Sequence, residues 1–353
     1  MKHSFFVFVC FIHQTCAMEL KPVSEKDLIY NEVRKLFGTI DNDYGVKRLV
    51  GGLSSNSPYV CSVNGIKYVA RTFRDAPEVR DIKVALNCLV AQKGIAPKIY
   101  YSAHHDNLSF IIMDFINTPT LSMEQANKFE ILEKVGRKAR VIADFDINMV
   151  TANKENILGE TLRHHENIKK KKIAVFDPLL EELKSKIDVI SQKIEHEKRP
   201  LVINHNDFYP RNMFYFDKDI LVIDWETLAS SYEFSDLACY SVCTCLDAME
   251  DLYLLGHYLQ RPSTTSDRRY FDLVKLLMRI LVVVGPLNYA NYIPENLSME
   301  SINNFKYYAT AFAKDVNNDS PEFLYGFGMS QLRELRQEYE KFEKSTIQGK
   351  RND

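Results

Sequence analysis

Leu201-Val202-Ile203-Asn204-His205-Asn206-Asp207-Phe208-Tyr209-Pro210-Arg211-Asn212 is the stretch whose reading decides the fold. Three apolar residues lead into a loop dense in polar groups, which reads as a short buried strand delivering His205, Asp207 and Asn212 to its end. Met213 to Phe216 forms the next strand, Asp217-Lys218-Asp219 turns it, and Ile220 to Ile223 brings the chain back to Asp224-Trp225-Glu226. Asp207 and Asn212 then share one loop, and Asp224 ends the adjacent hairpin, so three polar groups converge.

Phosphoryl transfer asks a protein for positioning and charge stabilisation more than for covalent chemistry. One carboxylate orients the attacking hydroxyl and takes its proton, while hard oxygen donors hold Mg²⁺ against the β- and γ-phosphates of ATP. An H-x-D-x4-N loop, followed by an aspartate after a short hairpin, has that arrangement; protein kinases use the same Asp-to-Asn interval. The residues resemble, specifically, the choline/ethanolamine kinase, thiamine kinase and aminoglycoside phosphotransferase superfamily, whose members carry H-x-D-x-x-x-x-N, then I-D-W/F-E, then a further Asp-Leu-Ala. This chain has His205-x-Asp207-x4-Asn212, Ile223-Asp224-Trp225-Glu226 and Asp236-Leu237-Ala238.

The resemblance implies an α+β, two-lobed protein kinase-like fold. Its small N-terminal lobe, residues 18–116, would carry an antiparallel sheet and one helix and bind the nucleotide. The larger, mainly helical C-terminal lobe, residues 117–353, would hold the catalytic and substrate-binding groups. By the same resemblance Asp207 is the catalytic base, Asn212 and Asp224 are the metal ligands, His205 braces the loop, and Glu226 and Asp236 fall on the substrate side. The alternative is that these polar residues only satisfy turns and caps, and for Glu226 and Asp236 both readings stand.

Upstream, Asn64-Gly65 separates two β-like runs, Tyr59 to Val63 and Ile66 to Phe73, and signals a tight hairpin because both turn positions need positive φ. The preceding Gly51-Gly52-Leu53-Ser54-Ser55-Asn56 is a glycine-rich turn whose backbone N–H groups suit phosphates, with Gly51, Gly52, Ser54 and Asn56 as candidate contacts. Arg71 sits where the strand presents a cation to the α- and β-phosphates, a bidentate clamp that stays charged. Pro77 to Lys93 reads as a helix stopped by Gly94, with Pro97 beyond. Superfamily members pair the strand cation with an acid on this helix. Counted back from Gly94-Ile95-Ala96-Pro97, that position holds Lys83, which leaves Glu78 or Asp81 as substitutes. Ser109 to Phe115 reads as a buried strand, and Asp114 to Ile116 resemble the hinge whose backbone reads adenine.

Beyond Asn117 the periodicity turns helical: a Ser122-x-x-Gln125 capping box, a stripe from Phe129 to Ile142 and another from Leu180 to Ile194. Leu276 to Leu287 is too short to span a membrane and reads as a core helix broken at Gly285-Pro286. With 46% apolar and 26% charged residues and a net charge of −2, the chain has no basic field for nucleic acid. Its seven cysteines are too few and scattered for a disulfide framework, and Cys239, Cys243 and Cys245 read as small apolar residues on a buried helix. Residues 1–17 look like a short secretory signal peptide, but ATP dependence belongs to the cytoplasm and Met18 opens a conventional start, which is the preferred reading.

The expected activity is therefore transfer of phosphate from ATP to the hydroxyl of a small molecule. Choline or ethanolamine leads narrowly over thiamine or an aminoglycoside, because the aromatics that would cage a quaternary ammonium are present but the late tryptophans of choline kinases are not. Two further readings stay open. One is a nucleotide-binding member that has lost catalysis, motivated by the displaced acid; the other is a protein kinase-like secreted effector.

Overall fold

The computed structural model describes residues 24–38, 45–49, 58–105, 108–146, 156–173, 176–290 and 321–349. The glycine-rich turn, with Gly51, Gly52, Ser54 and Asn56, and the leader-like residues 1–17 lie outside the described residues.

The amino-terminal part opens with α1 (Glu25–Phe37), where the Ser24 hydroxyl accepts the Asp27 N–H at 3.2 Å, as its capping pattern predicts. A five-stranded antiparallel sheet follows, built from β1 (Val46–Arg48), β2 (Pro58–Val63), β3 (Ile66–Phe73), β4 (Ile99–His105) and β5 (Leu108–Asp114), in the order β1-β2-β3-β5-β4. Asn64 and Gly65 both take positive φ, 52° and 77°, between the paired Val63 and Ile66. This is the hairpin the sequence announced. Helix α2 (Pro77–Gln92) crosses between β3 and β4 and ends at Gly94, whose φ is +69°.

The two-residue period of the strands decides which helix each side chain meets. Ala70, Phe110 and Ile112 pack with Ile29 and Val33 of α1, whereas Phe73 and Ile111 pack with Val84 of α2. Arg71 pairs with Ile111 across the ladder and has the parity of Phe73. The strand therefore delivers its cation to the α2 face of the sheet.

The larger part is mainly helical: α3 (Met123–Ala126), α4 (Phe129–Ala143), α5 (Ile157–Lys170), α6 (Asp177–His196), α7 (Ser235–Thr244), α8 (Ala248–Leu259), α9 (Thr265–Tyr289) and α10 (Pro321–Gly349). Two small ladders sit among them, β6 (Leu201–Asn204) with β9 (Ala229–Tyr232), and β7 (Met213–Phe216) with β8 (Asp219–Val222). The Ser122–Gln125 capping box is formed, but it starts the single turn α3, and the apolar stripe begins afresh at Phe129 in α4. The expected break at Gly285-Pro286 does not occur. Helix α9 runs on to Tyr289 with Pro286 inside its last turn; the ring forgoes its own N–H bond to the preceding turn, and that single loss does not end the helix. The buried Arg279 of α9 donates to both Glu338 oxygens, at 2.7 and 2.8 Å, and ties α10 to the core.

A main-chain bond joins the two parts: Val222 N–H donates to the Ile95 carbonyl at 2.7 Å. The Gly94–Pro97 segment after α2 is thereby fixed against the hairpin that ends at Asp224. No helix among the described residues is long and apolar enough to cross a membrane.

Candidate active site

Strand β6 ends at Asn204, and the next eight residues form a loop that closes through the 3₁₀ turn Pro210–Asn212. Its backbone is held from beneath by Asp236, in the first turn of α7. One carboxylate oxygen accepts the His205 N–H at 2.8 Å and the other the Asn206 N–H at 2.9 Å. The loop would otherwise carry buried, unpaired donors. Asn206 takes φ +62°, and its amide group donates to the carbonyls of Asn204 and Thr227 at 3.2 and 3.1 Å.

His205 is fully buried and edge-on to Trp225, with ring centroids 4.7 Å apart. Its Nδ1 accepts the Asp207 N–H at 3.3 Å, so the Nε2 bears the proton and donates to the Ile223 carbonyl at 3.0 Å. The imidazole thus links the Asp207 loop to the strand end before Asp224, the bracing that the sequence suggested. Asn212 completes the loop: its Nδ2 donates to the Asp207 carbonyl at 2.9 Å and to the Asp207 carboxylate at 2.7 Å. With its amino end so committed, Asn212 offers only its amide oxygen to anything else.

Asp224 has left-handed backbone torsions, φ 69° and ψ 57°, a conformation that a non-glycine residue holds at a cost of about 1–3 kcal/mol. It stands close enough to Asp207 for its charge to act there. Burial, first, and then the Asp224 charge push the Asp207 carboxyl up to about 7, against the pull of the Asn212 amide. Three of the predicted residues, Asp207, Asn212 and Asp224, are therefore brought together.

Arg71 reaches the same place from β3. Its Nη2 donates to Asp224 Oδ1 at 2.6 Å and to Glu226 Oε1 at 2.7 Å. Burial works against the guanidinium charge, but the two carboxylates outweigh it and hold its pKa above the ordinary value. Arg71 and Asp224 line a small open crevice together with Asn87, Met113, Ile223 and Trp225.

Several expectations need correction. Glu226 is not on a separate substrate side, since its carboxylate meets Arg71, the cation assigned to the nucleotide. Asp236 does not face a substrate either; it is 3% exposed and both oxygens are taken by loop N–H groups. Burial pushes it up to about 7, with those N–H bonds opposing. Neither Glu78 nor Asp81 pairs with Arg71: Glu78 is exposed, and Asp81 points outward to His104, 2.9 Å away. At the expected acid position Lys83 pairs with Asp75 at 2.6 Å. The Asp114 N–H, a candidate adenine reader, is spent on the Lys98 carbonyl at 2.9 Å, and its carboxylate accepts the Tyr100 hydroxyl at 2.7 Å. Ile116 lies half-buried two residues beyond β5.

Tyr209 lies in the same loop, two residues past Asp207. Burial raises its pKa, and Asp207 and the α7 thiols Cys243 and Cys239 add to the effect. Among the described residues no group of three or more His, Cys, Asp or Glu side chains is placed to hold a metal. The oxygen donors that the sequence pattern assigns to a metal are one carboxylate, Asp224, and one amide, Asn212. Such a sparse, hard donor set fits Mg²⁺, which keeps water and phosphate oxygens in its remaining positions.

A buried aspartate and asparagine on one loop, an aspartate on the adjoining turn and an arginine from the facing sheet thus stand together, the first three as the sequence spacing predicts. The sequence pattern of the choline/ethanolamine kinase family matches residues 46–259, more than half of the chain, and the protein belongs to that family. It is a small-molecule kinase. Solved structures similar to it include a choline kinase from Cryptosporidium parvum (16% identity, 92% of this chain and 98% of that one, TM-score 0.62). An ethanolamine kinase from Plasmodium vivax is 15% identical over 88% of this chain and 86% of its own, with TM-score 0.61. A spectinomycin phosphotransferase solved with ADP and spectinomycin is 13% identical over 88% of this chain and all of its own, with TM-score 0.57. At these identities the likeness is one of fold. Among curated proteins no sequence match was found.

Proposed function

We propose that this protein transfers the γ-phosphate of ATP to the hydroxyl of a small amino alcohol, with choline or ethanolamine as the favoured acceptor. The observation that carries the reading is the meeting of Asp207, Asn212 and Asp224, in which the Asn212 amide bridges to the Asp207 carboxylate at 2.7 Å while Asp224 stands beside it. The family match and the choline and ethanolamine kinases among the similar structures support the choice of acceptor.

In this reading the acceptor hydroxyl sits against Asp207, which takes its proton as the oxygen attacks the γ-phosphorus and ADP leaves. A carboxyl poised near neutrality is suited to holding that proton. Asn212 fixes the Asp207 rotamer, and Arg71 meets the α- and β-phosphates. Asp224 and the Asn212 amide oxygen would hold Mg²⁺, which supplies charge neutralisation on the β- and γ-phosphates when bound. A soluble ATP-dependent enzyme of this kind would work in the cytoplasm.

The non-catalytic reading rested on a missing acid for Arg71, and Glu226 and Asp224 supply that charge. The test is turnover with ATP and Mg²⁺ over a panel of choline, ethanolamine, thiamine and aminoglycosides, with Asp207→Ala alongside. The proposal expects one amino alcohol to be phosphorylated by the wild type and not by the variant. Equal turnover by both would remove Asp207 as the base. Binding of ATP with no turnover on any acceptor would favour the non-catalytic reading.

A further inference from the structure

We infer that Glu226 is the counter-ion that positions Arg71 for the nucleotide, a task that no acid on α2 performs in this chain. The inference rests on the nucleotide role proposed above for Arg71.

The side chains on α2 leave the position empty of negative charge. Lys83, where an acid is expected, turns to Asp75, two residues past the end of β3, at 2.6 Å. One turn further along, Asn87 lines the same crevice as Arg71, but it is neutral and its Nδ2 donates to the Lys83 carbonyl at 2.8 Å. A buried guanidinium without a partner would cost several kcal/mol, so a carboxylate must come from elsewhere. It comes from the 3₁₀ turn Trp225–Thr227, whose Glu226 accepts from Nη2 at 2.7 Å.

Asp224 accepts from the same nitrogen, yet it cannot serve throughout the cycle. A carboxylate that ligates a divalent cation has its charge committed there. Glu226 is then the carboxylate left to hold Arg71 in its rotamer, with the other guanidinium donors turned to phosphate. This makes Glu226 a positioning residue whose effect is read through phosphate binding.

The experiment is a titration of the full chain with ATP, once with Mg²⁺ and once in EDTA, and with adenosine, for the wild type, Glu226→Gln and Glu226→Gln with Asn87→Glu. Glu226→Gln is expected to weaken ATP binding about tenfold with Mg²⁺, to weaken it less in EDTA, where Asp224 stays free to hold Arg71, and to leave adenosine binding unchanged. Asn87→Glu, which restores a carboxylate on α2, is expected to bring ATP affinity back to within about threefold of wild type. A loss that disappears as Mg²⁺ is raised would make Glu226 a metal ligand instead. An equal loss for adenosine would reduce it to shaping the cleft, and a folded double variant that binds no better than Glu226→Gln would also overturn the counter-ion role. Should Glu226→Gln fail to fold, Glu226→Asp keeps the charge at shorter reach; weaker ATP binding with adenosine unchanged supports the inference, and unaltered ATP binding overturns it. If the wild type itself does not bind ATP, the proposed function fails and this inference fails with it; ATP binding that ignores Glu226 removes this inference alone.

Discussion

The loop from His205 to Asn212 and the strand that carries Arg71 both meet Asp224, with different kinds of support. In the loop, the bonds named above all fall within the larger part: Asp236 holds two N–H groups, His205 holds Ile223, and Asn212 holds Asp207. Arg71 has no acid from its own sheet or helix and takes both of its carboxylates from the opposite side. The comparison teaches that Asp207 and Asn212 are held by their own loop before any ligand arrives. Arg71, in contrast, is placed only while the two parts stay together.

That contrast is broken most severely at Asp207. Asp207→Asn keeps the shape and an acceptor for Asn212, so the thermal midpoint should stay near wild type while kcat falls about 10³-fold. A comparable loss of stability would mean that the loop needs the charge for its own fold. Next comes Asp224→Asn, which removes a hard ligand and half of the support of Arg71. Steady-state assays should show kcat down roughly a hundredfold at fixed Mg²⁺, partly recovered as Mg²⁺ is raised. A variant indifferent to Mg²⁺ concentration would remove Asp224 as the metal ligand.

Asp236→Asn tests the loop's independence. The amide would offer an N–H to a backbone N–H, leaving one loop donor buried and unpaired, at a cost of about 1–3 kcal/mol. Urea unfolding should show that loss in the midpoint; an unchanged midpoint would mean that the loop does not depend on this brace.

How much of this the sequence carried follows the same division. The Asp207, Asn212 and Asp224 cluster was legible because the loop and hairpin are local and the spacing fixes them. The Asn64-Gly65 hairpin and the Ser24 cap were legible for the same reason. Asp236 was seen but misassigned. What marks it as a brace is burial at the start of an apolar helix beside β6, and the pairing of β6 with β9 that creates the setting is not a spacing rule. The partners of Arg71 lie 153 and 155 residues away in sequence, beyond any helical or strand period. The signal available was negative: Lys83 in the acid's position meant that the charge had to be met elsewhere.

The pH profile sharpens the comparison further. Asp207 works as a base only when ionised, so activity should fall as pH drops through its folded-state value, about 7. Because the Asp224 charge is one of the causes of that elevation, a cation bound to Asp224 lowers the limb, and Asp224→Asn lowers it too. Profiles of kcat/KM should show the acid limb moving down as Mg²⁺ rises in the wild type and staying put in the variant. A limb that ignores Mg²⁺ would separate Asp207 electrically from the metal site.

The smallest effect is optical. Trp225 is the only tryptophan in the chain. It is 1% exposed, donates its indole N–H to the Val222 carbonyl at 3.0 Å, and lines the crevice with Arg71 and Asp224. If a metal-bound nucleotide draws Arg71 away from Asp224, the field at the indole changes although the ring stays buried. ATP with Mg²⁺ should therefore alter the emission intensity saturably, with little shift in its maximum. Adenosine, which brings no phosphate to Arg71, should leave the intensity nearly constant. A silent Trp225 under conditions where calorimetry shows ATP bound would mean that the Arg71–Asp224 pair persists in the complex, and the strand's cation would then be as preset as the loop it faces.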